Sequence, residues 1–475
     1  MTDRETIPLC VDLDGTLLAT DSLDEQALLF LQGRPWRIWR LLVWLGQGKA
    51  RLKRELNLWT EARTDLWPCH SEFLSFLQEE HQKGRRLLLV TGADQALALR
   101  VATRFAIFDG VEASQGDRNL TGPSKAARLV ELFGSGGFDY AGNSTADLSI
   151  WKEAREAIVV NASPALEGMA RREANVTRVF GRPAGWPGPL RRVLRVHQWP
   201  KNVLLLIPVI TGHKLRDPRV LLEIFLAFVA FSLCASCVYV INDLHDVEAD
   251  RQHRTKKNRP FAAGTFPIRS GLALIPILLG LSLVLAWSLP GLFLLCLAGY
   301  FLTSVLYSAV LRKIALLDVF ILAGLYTIRI LAGSAATGIN CSNWLLAFSV
   351  FLFLSLALLK RYIELRGTTV AERPPATGRD YSAADLNIVQ TVGLISGYFS
   401  ALVLAIYVNS EEVRLLYRQP ALLMAVCPLI LYWITRVWFL AARGRVEDDP
   451  VMFALKDRPS YVLGALVGAS ILLAS

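Results

Sequence analysis

Charge is scarce in this chain. Charged residues make up 19% of its 475 positions and hydrophobic residues 53%, whereas soluble domains run near 25% charged. That balance excludes a disordered or fibrous protein and argues against a wholly soluble one. Cysteine is also sparse. The seven cysteines are odd in number and mostly embedded in apolar runs, so no disulfide framework is expected. Cys234 and Cys237 form a C-x-x-C inside a long hydrophobic stretch and read as small helix-packing residues. The N-terminal MTDRETIPLCVDLDG lacks a basic segment followed by an apolar one, so no cleavable signal peptide is expected. Nucleic acid is the weaker expectation as a partner of so positive a chain. The net charge of +10 points instead to basic cytoplasmic loops, an anionic ligand, or both.

The composition changes near residue 190. Before it, strand-like and helix-like signals alternate, which argues for a parallel α/β sheet. After it, apolar runs of near-membrane length recur. The Pro- and Gly-rich VFGRPAGWPGPLRR between them reads as a linker. The expected organisation is an α/β domain over 1–178, a linker over 179–192 and an all-α polytopic membrane domain over 193–475. Nine spans are expected, near 200–213, 220–241, 268–288, 290–309, 315–338, 343–359, 388–408, 420–440 and 459–475, the first being short for a bilayer of about 20 helical residues. Loops after the even-numbered spans carry 16 Lys and Arg, those after the odd-numbered spans 5. The positive-inside rule then puts the N-terminal domain in the cytoplasm and the C-terminus outside an inner membrane.

Polar clusters mark three strand ends of the first half, where α/β folds hold ligands. VDLDGTL places Asp12 and Asp14 after a buried strand. Two carboxylates so spaced can share Mg²⁺, one attacking phosphorus while the other handles the leaving-group proton. LLLVTGAD supplies Thr91, GPSKAARL supplies Lys125, and YAGNSTAD supplies Asn143 and Asp147. These four strings, in this order, resemble the haloacid dehalogenase-like phosphatases over residues 7–162. The resemblance implies a Rossmann-like parallel sheet, with the helical insert over about 20–84 as a cap. It implies Asp12 as nucleophile, Asp14 as general acid/base, Thr91 and Lys125 holding phosphate, and Asp12, Asp14, Asn143 and Asp147 around Mg²⁺. Asn143 stands where that family usually has aspartate. An amide oxygen lacks the charge, which lowers metal affinity and keeps open a slow or binding-only domain.

A second cluster begins inside an apolar run, YVINDLHDVEADRQHRTKKNRPFAAG. Asn242, Asp246 and Asp250 are spaced to share one helix face, with Asp243 at its border. Carboxylates crowded where an apolar helix meets water repel one another until divalent cations bind between them, and Mg²⁺ held by carboxylates and substrate phosphates suits such a place. Lys256, Lys257 and Arg259 follow, suited to gripping phosphate oxygens. Asp318 and Arg329 lie in one apolar span, on one face but roughly 16 Å apart, and ionisable residues there usually line a cavity. HQWPKN adds Lys201, LYSAVLRK adds Tyr307, Arg312 and Lys313, and LLKRYIELR adds Lys360 and Arg361.

These strings resemble the UbiA-type intramembrane prenyltransferases over about residues 190–475, and within them the decaprenyl-phosphate phosphoribosyltransferase branch. Asp318 is followed by Leu322 where aromatic prenyltransferases carry a second aspartate. The resemblance implies Mg²⁺-dependent transfer of 5-phosphoribosyl from phosphoribosyl pyrophosphate to a polyprenyl phosphate. Asp243 and Asp246 would be catalytic, and Asp243, Asp246, Asp250 and Asp318 would hold the metal. Asn242 and the basic residues named above, with Tyr307, Arg329, Lys360 and Arg361, would bind substrate. A second expectation is that the phosphatase-like domain dephosphorylates the product. Two rivals stand beside this reading: an aromatic prenyltransferase of quinone synthesis, and a non-enzymatic lipid carrier with a phosphometabolite sensor. Lipid length, pathway and oligomeric state are not legible.

Overall fold

Short strands of Leu, Val, Ile and Ala alternate with helices through the first 180 residues, and they assemble as a sheet buried on both faces. The computed structural model describes residues 7–32, 34–115, 119–181, 185–370, 380–446, 450–454 and 456–474. Contacts divide the chain into two compact units, Met1–Leu194 with Tyr239–Ile275, and Arg195–Val238 with Pro276–Ser475.

The first unit begins with β1 (Leu9–Val11), then α1 (Ser22–Leu31), α2 (Ile38–Gly46), α3 (Lys49–Trp59) and α4 (Ser71–Gln82). There follow β2 (Leu87–Asp94), α5 (Gln95–Phe105), β3 (Gly110–Ser114), α6 (Pro123–Phe133), β4 (Asp139–Gly142), α7 (Leu148–Trp151), β5 (Ala157–Val160), α8 (Pro164–Glu173), β6 (Val176–Phe180) and α9 (Pro187–Val193). The six strands are parallel in the order β3-β2-β1-β4-β5-β6. Val11 pairs with Leu89 on one side and Ala141 on the other. Alternation along each strand sends Leu9, Val11 and Leu89 to one apolar layer and Cys10, Leu88 and Tyr140 to the other, the pattern of a doubly wound sheet. Chain order reverses beside β1, so the β1 and β4 carboxyl ends flank the crevice where such folds bind ligands.

The insert expected over about 20–84 is helical, but its parts differ in role. Phe73, Phe76 and Leu77 of α4 belong to the sheet's own core. The separate small core of Phe30, Leu52 and Leu56 holds α1, α2 and α3 together as the cap.

Residues 239–275 pack with this unit rather than with the rest of the apolar half, which differs from the boundary expected near 190. A buried ion pair explains it. Arg251 donates to Glu25 at 2.5 and 3.0 Å, both side chains being almost fully enclosed. Gln32 Nε2 also donates to the His245 carbonyl at 3.1 Å, and Trp186 meets Phe266 edge-on.

The second unit opens with a 3₁₀ stretch, Val196–Leu206, and α10 (Ile207–Thr211). The long helices are α11 (Pro218–His245), which crosses the division between the units, α13 (Ile268–Trp287), which does likewise, α14 (Gly291–Ala309), α15 (Leu317–Thr337), α16 (Asn343–Val370), α17 (Leu386–Val408) and α19 (Val426–Ala442). The short ones are α18 (Glu411–Leu416) and α20 (Pro450–Ala454), α21 (Arg458–Ala474) ends the order, and α12 (Val247–Gln252), between α11 and α13, belongs to the first unit. Among the described residues seven helices are long and apolar enough to cross a membrane. Nine were expected. The first expected span is broken into 3₁₀ and α pieces around Pro200 and Pro208, whose missing N–H groups interrupt an α ladder. The last, α21, is 17 residues long.

Val319, Ala323 and Ile330 of α15, Phe353 and Leu358 of α16, and Trp438 of α19 form the core of this unit. Cys234 and Cys237 are buried and unlinked. Small residues permit the closest approach. A methyl group on Gly333 of α15 would lie 2.0 Å from the Leu205 carbonyl oxygen, whereas one on Gly324 of the same helix meets nothing within 4 Å. Gly333→Ala should therefore cost about 1–3 kcal/mol by overpacking, seen as a lower melting temperature in detergent, while Gly324→Ala leaves it unchanged or higher.

Candidate functional sites in the two units

Asp12 leaves β1 and turns at Gly15, whose φ of +75° is open to glycine. The turn is doubly constrained, because a Cβ there would strike the Asn143 amide. Asn143 thus packs on the D-x-D-G loop, beside the two aspartates. Lys125, on α6, reaches across to Asp12 Oδ1 at 2.7 Å, and Thr16 donates to Oδ2 at 3.4 Å. Asp14 Oδ1 accepts the Ser22 backbone N–H at 2.8 Å. Burial holds Asp12 above the usual carboxylate range against the pull of Lys125. Burial, with Asp21 and Asp12 nearby, pushes Asp14 up to about 7. A carboxyl group poised there can give or take a proton near neutrality.

Asp147 follows β4 on a 3₁₀ turn. Its Oδ2 accepts from the backbone N–H groups of Asn143 and Ser144 and from the Ser144 hydroxyl, at 2.8–3.0 Å. Its Oδ1 accepts from Tyr140. These bonds shape the loop after β4. Thr91 is fully buried, and its hydroxyl accepts from Ala93 N–H.

Two residues of this site went unnoticed in the sequence. Tyr140 Oη accepts from Lys125 at 3.0 Å and donates to Asp147 at 3.0 Å, joining two motifs. The only signal was a polar side chain at an inward position of β4. Lys53 comes from the cap helix α3 and donates to the Gly92 carbonyl and to Asn119 Oδ1 at the end of β2. Burial lowers its pKa, while Asp14 and Asp21 oppose that shift.

The acidic string in residues 239–275 takes a form the spacing did not show. Helix α11 ends at His245, and Asp246 caps α12 with φ −97° and ψ 9°. The i→i−4 bonds from Asp246 to Asn242 and from Asp250 to Asp246 nevertheless persist. Asp243 and Asp250 come together on one guanidinium, Arg259 Nη1, at 3.0 and 2.8 Å. Burial raises Asp250 against the effect of Arg259. Asp246 lies 3.0 Å from His245 Nδ1. Among the described residues no group of three or more His, Cys, Asp or Glu side chains is arranged as a metal site. Asn242 Oδ1, however, is a buried acceptor that no donor among the described residues reaches. An oxygen without a donor, one residue from Asp243 and four from Asp246, fits a hard divalent cation such as Mg²⁺. Lys256 and Lys257 stand on a 3₁₀ turn just beyond, Lys257 exposed.

The second unit holds its own polar cluster. Asp318, fully buried at the start of α15, accepts from Arg361 Nε at 2.5 Å and from the Tyr381 hydroxyl at 2.7 Å. Arg361 also donates to Glu364 and, at 3.3 Å, to Tyr307. Tyr381, 63 residues from Asp318, gave no signal in the sequence. Arg329 is satisfied without a carboxylate. It donates to Asn202 Oδ1, the Leu325 carbonyl and Tyr300, and lies among the rings of Phe231, Tyr300 and Tyr326. Asn202 donates in turn to Ser232, and Lys201 lies 5.7 Å from the Tyr326 ring. Arg312 and Lys313 sit on a 3₁₀ turn after α14, and Lys360 is half-buried beside Arg361.

The profile of the UbiA prenyltransferase family matches residues 205–456, more than half of the chain. The chain belongs to the UbiA prenyltransferase family. Membership makes it a membrane-bound transferase with several spans. Uncharacterized protein y4nM of Sinorhizobium fredii is 35% identical over 475 residues, covering 99% of this chain and 92% of that protein. Decaprenyl-phosphate phosphoribosyltransferase of Mycobacterium tuberculosis is 32% identical over 301 residues, 61% of this chain and 96% of that protein. Among solved structures, a UbiA homolog from Archaeoglobus fulgidus bound to GPP and Mg²⁺ covers 60% of this chain and 99% of its own, at 19% identity and TM-score 0.44. Phosphoserine phosphatase in apo form covers 40% and 98%, at 14% identity and TM-score 0.28.

The Asp318–Arg361 pair can be tested directly. Arg361→Met strands a buried carboxylate and should cost about 3–5 kcal/mol of stability. Adding Asp318→Asn should recover much of that loss in the same unfolding assay.

Proposed function

We propose that this UbiA-family enzyme transfers a 5-phosphoribosyl group from phosphoribosyl pyrophosphate to a polyprenyl phosphate. A lipid phosphate oxygen bonds to the ribose C1 as the C1–O bond to pyrophosphate breaks. The observation carrying this reading is the buried Asn242 Oδ1, which no donor among the described residues reaches, next in sequence to Asp243. The 32% identity to a phosphoribosyltransferase over nearly its full length supports the donor and acceptor. Asn242 and the aspartates of residues 243–250 would hold Mg²⁺. The metal, when bound, draws off charge as pyrophosphate departs. Lys256 and Lys257 would neutralise donor phosphates, and Arg259 keeps Asp243 and Asp250 in position.

The first unit then removes the 5-phosphate. Asp12, held by Lys125, attacks phosphorus, and Asp14 protonates the leaving ribose oxygen. Both activities face the cytoplasm. Within the first unit Gln32 meets the end of α11, so residues 32 and 245 share one side of the membrane. If α11 crosses, residues 195–217 cross as well. Eleven residues of 3₁₀ helix and five of α10 rise about 30 Å, the thickness of the hydrocarbon core. The excess of loop cations assigns that shared side to the cytoplasm.

With purified protein in lipid nanodiscs, pyrophosphate release should require the phosphoribosyl donor, a polyprenyl phosphate and Mg²⁺, and should stop with EDTA. Asp246→Asn should slow it at least about 100-fold. Turnover of a prenyl diphosphate with 4-hydroxybenzoate, and none with the phosphoribosyl donor, would overturn the reading. Asp12→Asn should leave pyrophosphate release intact and accumulate the phosphorylated lipid. An unchanged yield of dephosphorylated product would remove the first unit from the sequence of reactions.

A further inference from the structure

The cap carries a feature that neither proposed reaction uses. Residues 34–54, RPWRIWRLLVWLGQGKARLKR, contain seven Lys and Arg, three Trp and no carboxylate. Within them α2 turns one side inward. Leu41 and Trp44 pack on the core of Phe30, Leu52 and Leu56, with the Phe30 and Trp44 rings 5.1 Å apart. The other side is bare. Trp36 and Trp39 are 67% and 70% exposed, and Ile38, Leu42, Val43 and Leu45 are about half exposed. At 100° per residue the exposed apolar positions of α2 span an arc of about 160°. Arg34 and Arg40 are exposed at its edge.

Exposed tryptophans flanked by arginines, with no opposing acid, describe a helix that lies in a lipid headgroup layer. The indoles sit at the boundary and the cations meet anionic lipid. A second observation places this helix near such a layer. Gln32, two residues before Arg34, donates to the backbone of His245, the last residue of a membrane-length helix. The buried Glu25–Arg251 pair holds the same junction from the other end of α1.

We propose that α2 and the preceding Trp36 are an interfacial anchor, seated in the anionic headgroups of the membrane leaflet that adjoins His245. The anchor would hold the Asp12 site at the lipid surface, where a lipid-borne phosphate is presented. It does not depend on which reaction either unit performs.

The test uses full-length protein, one molecule per nanodisc, in phosphatidylcholine alone or mixed with phosphatidylglycerol. Amide hydrogen exchange over residues 34–48 should be about fivefold slower in the anionic discs. High salt or Arg34→Glu/Arg40→Glu should abolish the difference. Acyl-brominated lipid should quench tryptophan fluorescence less in Trp36→Phe/Trp39→Phe than in the parent chain, because two of the lipid-contacting indoles are gone. Exchange independent of lipid charge, with quenching unaltered by the double variant, overturns the proposal. So does protection that follows protein concentration in detergent and not lipid composition, which would make the face a contact between copies of the chain.

Discussion

Among the described residues most carboxylates taken out of water are met by cations, and the rest of the structure is organised around those encounters. Asp12 meets Lys125, Glu25 meets Arg251, Asp139 meets Arg85 and Arg155, Asp243 and Asp250 share Arg259, and Asp318 meets Arg361. Such pairs add little stability over a well-packed apolar core, but losing one partner is costly. Their effect is to dictate register. Each pair requires two elements to arrive at a defined relative position.

Both units add a tyrosine to the same device. Tyr140 links Lys125 to the loop-shaping Asp147, and Tyr381 holds Asp318 while accepting from the Leu316 backbone. A hydroxyl that both accepts and donates can satisfy a buried neighbour on each side without bringing a net charge. Groups held this way need not reorganise when charge develops on a phosphate, the condition under which fixed dipoles contribute most to catalysis.

Much of the candidate site was legible because its signals are short-range. A short, wholly apolar strand followed by Asp-x-Asp-Gly announces a carboxylate pair at a strand end, and the structure brings Lys125 to the first of them. Seven of the nine expected spans were legible from run length alone; the first is broken around Pro200 and Pro208, and the last gives a 17-residue helix. Pro200 and Pro208 leave hydropathy unchanged while removing the N–H groups an α-helix needs, so a composition count could not tell a 3₁₀ stretch from a helix. The acidic stripe was visible as spacing, but the end of α11 at His245 and the seating of Asp243 and Asp250 on Arg259 were not.

By itself, then, the sequence determined which stretches are apolar, where the chain changes character, and which side chains stand at strand and helix ends. Those properties follow from neighbours a few residues apart. Only the tertiary structure decided the partners. Glu25 and Arg251 are 226 residues apart and Asp318 and Arg361 are 43 apart, and nothing local selects one arginine over another. The selection is made when packing of the intervening elements leaves one cation within reach of each desolvated carboxylate.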